Sequence, residues 1–233
     1  IYKKLGFRKL KIGDDAIVEL AEFSLDGKHA RKKRHIVNQF EKDGIRFLYY
    51  PPPIAQDIMK QAKEVSDAWL EIPGRRERTF SLGMFDSEYV HHTPIYAAVD
   101  PSGRMLSFVN VIPSFCRGEA TIDLMRYRID APAGMMDYLF IKLLLAKKQE
   151  GHSRFNFGMA PMAGFQEKEE TSMEERAVHN FMQHMSFLFS YQGLRAYKAK
   201  YATTWEPRYV IYRNILNLPL LARAIGEVTE LHE

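Results

Sequence analysis

Between Ile95 and Ile112 the chain spells out a β-hairpin, and no other stretch limits the fold as strongly. Ile95, Ala97 and Val99 recur with the two-residue period of a strand. Asp100-Pro101-Ser102-Gly103 fits a type I turn with Pro second and Gly last, and Met105 to Ile112 returns as the partner strand. After the hairpin the reading is a strand over Ala120 to Arg128 and a helix over Gly134 to Gln149. That helix is apolar on nearly every face, as expected for one packed between other elements. A short strand at Phe155 to Met159 follows. Next come a long helix over Met173 to Ser190, with Ala177, Phe181, Met185 and Leu188 at helical spacing, and a last strand at Arg208 to Tyr212.

Ahead of the hairpin, Ser24 to Gly44 reads as a basic amphipathic helix. Ile36, Val37 and Phe40 face a core, while Lys28, Arg31, Lys32, Lys33 and Arg34 face outward. The strand-like IRFLYY runs into Pro51, Pro52 and Pro53, which bars it from continuing as a paired central strand. A second helix covers roughly Ile54 to Leu70. Residues 1–23 read as closing strands of something that begins earlier, with Gly6 and Gly13 as turns. Helices and strands in this order predict an α/β domain with a mixed sheet.

Net charge narrows the function classes. The 33 basic and 29 acidic side chains leave only +4, so anion binding has to come from local clusters. A lone cysteine, Cys116, excludes an internal disulfide framework and a cysteine-rich zinc site, and suits a reducing cytosol. Eight histidines show no HxxxH or HExxH spacing, so no metal is expected. P-loop, GxSxG and GxGxxG sequences are absent, which argues against NTPases, α/β-hydrolases and dinucleotide enzymes. Tyr138 to Ala146 and Ile215 to Ile225 are too short and too interrupted to span a bilayer. The start lacks both an initiator methionine and a signal peptide's apolar core, and is read as a chain that continues upstream.

Five blocks carry residues suited to chemistry. In ATIDLMRYRIDAP a regular strand sends Asp123 and Arg126 to opposite faces unless it bulges or ends between them. Buried charges there must be paired, solvated at the strand end, or lining a cavity. FNFGMAPMAGF is a strand end whose Gly158 admits close backbone approach to a ligand, or a plain turn. FSLGMFDSEYV offers Asp86 and Glu88 for capping or for catalysis, and MEERA opens a helix with Glu174 and Glu175, where carboxylates complement the helix dipole. The last block, Gly193 to Arg213, interleaves Arg195, Lys198, Lys200, Arg208 and Arg213 with Tyr197, Tyr201, Trp205, Tyr209 and Tyr212. It reads either as a surface for phosphate and flat groups or as a helix with solvated lysines followed by a strand with alternating aromatics.

In order and spacing, FSLGMFDSEYV, IDLMRYRIDAPAGMMDYLF, FNFGMAPMAGF, ERA and GLRAYKAKYATTWEPRYVIY resemble the catalytic C-terminal region of bacterial aminoacyl-phosphatidylglycerol synthases. These are also called phosphatidylglycerol lysyltransferases or multiple peptide resistance factors. The resemblance covers about Tyr2 to Tyr212. It implies the GNAT (acyl-CoA N-acyltransferase-like) fold, with a mixed central sheet flanked by helices, as the second of two tandem halves. On that basis residues 1–23 close a preceding half, residues 24–213 form the catalytic domain, and residues 214–233 form a C-terminal amphipathic tail.

The implied reaction moves lysine or alanine from aminoacyl-tRNA to the glycerol hydroxyl of phosphatidylglycerol and so confers resistance to cationic antimicrobial peptides. The implied partners are the tRNA acceptor end, the lipid, the inner leaflet of the cell membrane and an N-terminal membrane domain, with homo-oligomers allowed. The domain would then work at the cytoplasmic face of the bacterial membrane. Carried over motif by motif, Asp123, Arg126 and Glu175 are the catalytic candidates, and Lys198, Lys200, Arg208, Gly158 and Met159 bind substrate. Where CoA users of this fold carry a glycine-rich pyrophosphate loop, this chain reads DAPAGMM, so no CoA and no other cofactor is expected. Tyr201 and Thr203 stand where many relatives have phenylalanine and proline. A GNAT-type transferase with another acyl donor or a peptide acceptor, and a non-catalytic tRNA or lipid-surface module, are the alternatives.

Overall fold

The computed structural model describes residues 2–77, 83–161, 181 and 192–229. The chain divides into two compact units, one of Glu19–Arg78 and Leu82–Asn156, the other of Ile1–Val18, Thr79–Ser81 and Phe157–Glu233.

In the first unit, α1 (Arg31–Lys42), β2 (Arg46–Tyr50), α2 (Gln56–Leu70) and the short α3 (Ser87–His91) precede the hairpin β3 (Ile95–Val99) and β4 (Met105–Pro113). β5 (Glu119–Tyr127), α4 (Met135–Gln149) and the start of β6 (Arg154–Pro161) complete it. The strands lie in the order β2-β3-β4-β5-β6. Neighbours are antiparallel except β5 and β6, which pair parallel through Glu119 to Thr121 and Arg154 to Asn156, so the sheet is mixed. β2 ends the row, where the prolines after Tyr50 interrupt no ladder.

The hairpin strands are buried on both faces because each face carries a helix. Ile95, Ala97 and Val99 pack with Ala62 and Val65 of α2. On the opposite face the hydroxyl of Tyr96 donates to Glu150 at 2.7 Å and accepts from Lys147 of α4 at 2.7 Å. α4 is buried on several sides, with the Phe40 ring of α1 tilted against Tyr138 at 5.3 Å between centroids. Its all-round apolarity therefore reflects two partners, the sheet and α1. Gly134 caps its start at φ 87, a left-handed conformation that glycine adopts without strain.

In the second unit, β1 (Arg8–Glu19) pairs antiparallel with β7 (Thr204–Tyr212) and neighbours β6, while α5 (Gln192–Lys198) precedes β7 and α6 (Leu218–Thr229) follows it. Leu218 and Ala222 of α6 pack with Phe181, Leu10, Ile12 and Val210. β7 has only β1 beside it among the described residues, and Pro207, which lacks a donor, is tolerated in such a position.

Gly13 is no turn. It lies inside β1 at a register shift, and a Cβ there would come within 2.6 Å of the Ala160 carbonyl oxygen, so only glycine allows that approach. The last strand starts at Thr204 rather than Arg208, with Pro207 inside it. Of the expected helix over Met173 to Ser190, all but Phe181 lies outside the described residues.

Candidate functional site

Asp123 sits on a bulge in β5. Met125 pairs with Val109 and Ile122 with Val111, so Asp123 and Leu124 both stand opposite Asn110. Such a bulge re-aims side chains, and it meets the condition under which Asp123 and Arg126 need not diverge. Asn110 is fully buried and fills the irregularity: its side-chain oxygen accepts from Leu124 N at 2.7 Å. Its amide donates to the hydroxyls of Tyr89 and Thr93, each at 3.2 Å. Tyr89 in turn donates to Asp123 Oδ2 at 2.7 Å, and Gly83 N donates to Oδ1 at 2.6 Å. Burial, then the hydrogen bond to Asp123, push the Tyr89 hydroxyl well above its ordinary range, so it stays a donor at neutral pH.

Among the described residues each oxygen of that carboxylate thus has one donor. Gly83 is required by contact, since a Cβ would fall 1.8 Å from Asp123 Oδ2. In FSLGMFDSEYV it is Asp86 that caps α3, accepting from Tyr89 N at 2.7 Å.

Three residues on, Arg126 is only 4% exposed. Its guanidinium lies 3.8 Å from the ring centroid of Trp69, and Nη2 donates to Glu77 Oε2 at 2.6 Å. Burial depresses its affinity for the proton, opposed chiefly by Glu77 and secondarily by Asp123. Nη1 is buried with no hydrogen-bond partner among the described residues. A buried unpaired donor costs about 1–3 kcal/mol. Where a ligand anion or a developing oxyanion arrives, that cost turns into binding. Arg128, the next basic residue, is instead structural, donating to the Met105 carbonyl and to Glu64, each at 2.8 Å.

In the second unit, β1 carries adjacent buried acids on opposite faces. Asp14 meets Lys11 at 2.7 Å and Arg195 at 3.0 Å. Burial opposes its charge, yet those hydrogen bonds prevail and hold its carboxyl below the ordinary aspartate range. Asp15 accepts from Arg208 Nε at 2.8 Å and from its Nη2. Lys198 is 5% exposed and donates to the carbonyls of Gly158 at 3.1 Å and Met159 at 3.0 Å, which is how those two backbone groups enter the cluster. Burial pushes its ammonium down to about 8, against the pull of Asp15.

The stretch Gly193 to Arg213 is a helix followed by a strand, but Lys198 is not solvated. Cations there rest on rings: Arg195 on Trp205 at 4.2 Å and Lys200 on Tyr197 at 4.5 Å. Tyr201 is buried against Phe157 at 5.5 Å.

Asp123 and Arg126 therefore fall in the first unit, and Lys198, Lys200, Arg208, Gly158 and Met159 in the second. Glu175 lies outside the described residues. Sequence reading missed Trp69, Glu77, Tyr89, Asn110, Asp14 and Asp15. Only the Asp14-Asp15 pair, two acids ahead of the apolar run Ala16 to Val18, left a signal. Among the described residues no group of three or more His, Cys, Asp or Glu is placed to hold a metal ion, and no helix is long and apolar enough to cross a membrane.

Residues 1–212 match the family model described as "Phosphatidylglycerol lysyltransferase, C-terminal". A phosphatidylglycerol lysyltransferase of Bacillus subtilis is 37% identical over 231 residues, 97% of this chain and 27% of that relative. The chain thus spans about a quarter of the curated relative's length. L-PGS from Bacillus licheniformis superposes with a TM-score of 0.81 at 36% identity, covering 97% of this chain and 69% of that one. The C-terminal domain of a putative lysylphosphatidylglycerol synthetase from Agrobacterium fabrum gives 0.82 at 34%, covering 97% and 67%. The fold is the GNAT-like one that the sequence resemblance implies.

Proposed function

This chain belongs to the family of phosphatidylglycerol lysyltransferase C-terminal domains, and we propose that it moves an amino acid, lysine or alanine, from aminoacyl-tRNA to the glycerol hydroxyl of phosphatidylglycerol. The observation that carries the reading is Arg126, a buried guanidinium lying over Trp69, with Nη1 unpartnered among the described residues, three residues from a carboxylate held on a bulge.

The reaction is a transesterification. The lipid hydroxyl attacks the ester carbonyl, the C–O bond to the tRNA ribose breaks, and the proton of the attacking hydroxyl ends on the departing ribose oxygen. Arg126 Nη1 supplies a preorganised donor to the oxyanion that forms on the carbonyl, in a site where burial strengthens the interaction. Asp123, oriented by Gly83 and Tyr89, binds the α-ammonium of the aminoacyl group or takes the hydroxyl proton, and Glu175 is the second carboxylate for these roles. Lys198, Lys200 and Arg208, with the backbone of Gly158 and Met159, are the substrate-binding candidates of the second unit, with Arg208 held there by Asp15. In the complete protein an N-terminal membrane part holds this domain at the cytoplasmic face. The added cationic amino acid offsets the lipid's negative charge and weakens attraction for cationic peptides.

The test supplies the complete protein with labelled lysyl-tRNA or alanyl-tRNA and phosphatidylglycerol vesicles, and separates the lipids by chromatography. An alkaline-labile labelled lipid is expected, and it should vanish in the Asp123→Ala, Arg126→Ala double variant. No labelled lipid with either tRNA would refute the function. Full activity of the double variant would refute the site.

A further inference from the structure

We infer that the depression beside the start of α1 docks the phosphodiester backbone of an RNA. It is shallow, open to solvent and lined by Lys28, His29, Arg31, Lys32 and His35. The acids of this stretch are engaged elsewhere: Asp26 with Ser24, Glu41 with Lys142, and Asp43 with Gln39. Arg34 and Lys33 are engaged with the loop itself. Arg34 donates to the carbonyls of Leu25 and Gly27, and Lys33 lies over the Phe23 ring at 5.5 Å. Hence the loop is pinned while the five lining side chains face a common hollow. α1 also has no acid in its first turn and no side-chain cap, so cations sit at the positive end of the helix dipole. That arrangement is unfavourable until an anion joins it.

Charge and the lack of apolar side chains choose the occupant. Membrane docking also draws on apolar side chains inserted beside the cations. None of the exposed large hydrophobic residues lies between Ser24 and Lys42. The inference rests on the proposed donor being carried by an RNA, and gives that RNA a contact on residues other than Asp123 and Arg126.

Binding is read directly, without transfer, so its outcome is separable from that of the activity assay. The 233-residue chain is titrated against a fluorescein-labelled, uncharged RNA minihelix by fluorescence anisotropy over about 50–200 mM salt. Lys28→Ala, Arg31→Ala and Lys32→Ala together should weaken binding by roughly tenfold or more and lower the salt slope by about 2–3. A charge-matched control, Lys3→Ala, Lys4→Ala and Lys60→Ala, should change both little. The substituted side chains are at the surface, and circular dichroism checks that each variant keeps its fold. Equal binding by the two triple variants would overturn the inference. So would loss of binding to phosphatidylglycerol vesicles with RNA binding unchanged, which would assign the hollow to a lipid surface.

Discussion

Replacing Lys198 by methionine isolates the effect of one buried ammonium. The fall from the ordinary lysine value of 10.5 to about 8 corresponds, at 1.36 kcal/mol per pH unit, to about 3 kcal/mol of folding free energy. Between about pH 8 and 10.5 the unfolded chain keeps this proton while the folded chain has released it. Stability therefore rises with pH through that window and is flat on either side of it. At neutral pH the variant loses the cost of the buried charge but also loses the ammonium's hydrogen bonds to the carbonyls of Gly158 and Met159, about 1–3 kcal/mol in the other direction. The two nearly cancel, so a single measurement at pH 7 says little.

The pH dependence discriminates. Urea unfolding of both proteins, followed by tryptophan fluorescence at several pH values from 7 to 10.5, should show wild type gaining about 3 kcal/mol on Lys198→Met across the series. The other lysines titrate in both proteins and drop out of the difference. A difference that stays constant with pH would mean that Lys198 titrates as an ordinary surface lysine and that the buried-charge reasoning is wrong.

Arg126→Lys keeps a positive charge near Glu77 but loses the planar fork and the stack on Trp69. Aminoacyl-lipid formation should fall by about 100-fold or more, and a near-normal rate would remove the proposed oxyanion role. Gly83→Ala forces the loop away from Asp123. The rate should drop while the urea midpoint moves by no more than the equivalent of about 1 kcal/mol, since the surrounding core is untouched. Gly13→Ala, by contrast, meets backbone at 2.6 Å and should cost about 1–3 kcal/mol in thermal unfolding.

The hairpin, α4 and the alternation along β5 were legible because their signals lie within a few residues. A type I turn needs only Asp100 to Gly103, and a strand facing two layers shows itself in Ile95 to Val99. The family's motif residues were legible in the same way, as short ordered blocks. What those residues touch was not. Lys198 looked like one of several surface lysines, yet it is buried against carbonyls 39 and 40 positions away. Arg208 looked like a phosphate ligand and is held by Asp15, 193 positions distant. Glu77, in a loop with no periodicity at all, pairs with Arg126 across 49 residues.

By itself, then, the sequence determined the α/β class, the hairpin and which side chains carry charge, because periodicity and turn chemistry act locally. The tertiary structure alone decided which charges are buried, which are already paired, and that Arg126 Nη1 is buried without a partner among the described residues. Burial and pairing depend on residues that the chain brings together only when it folds.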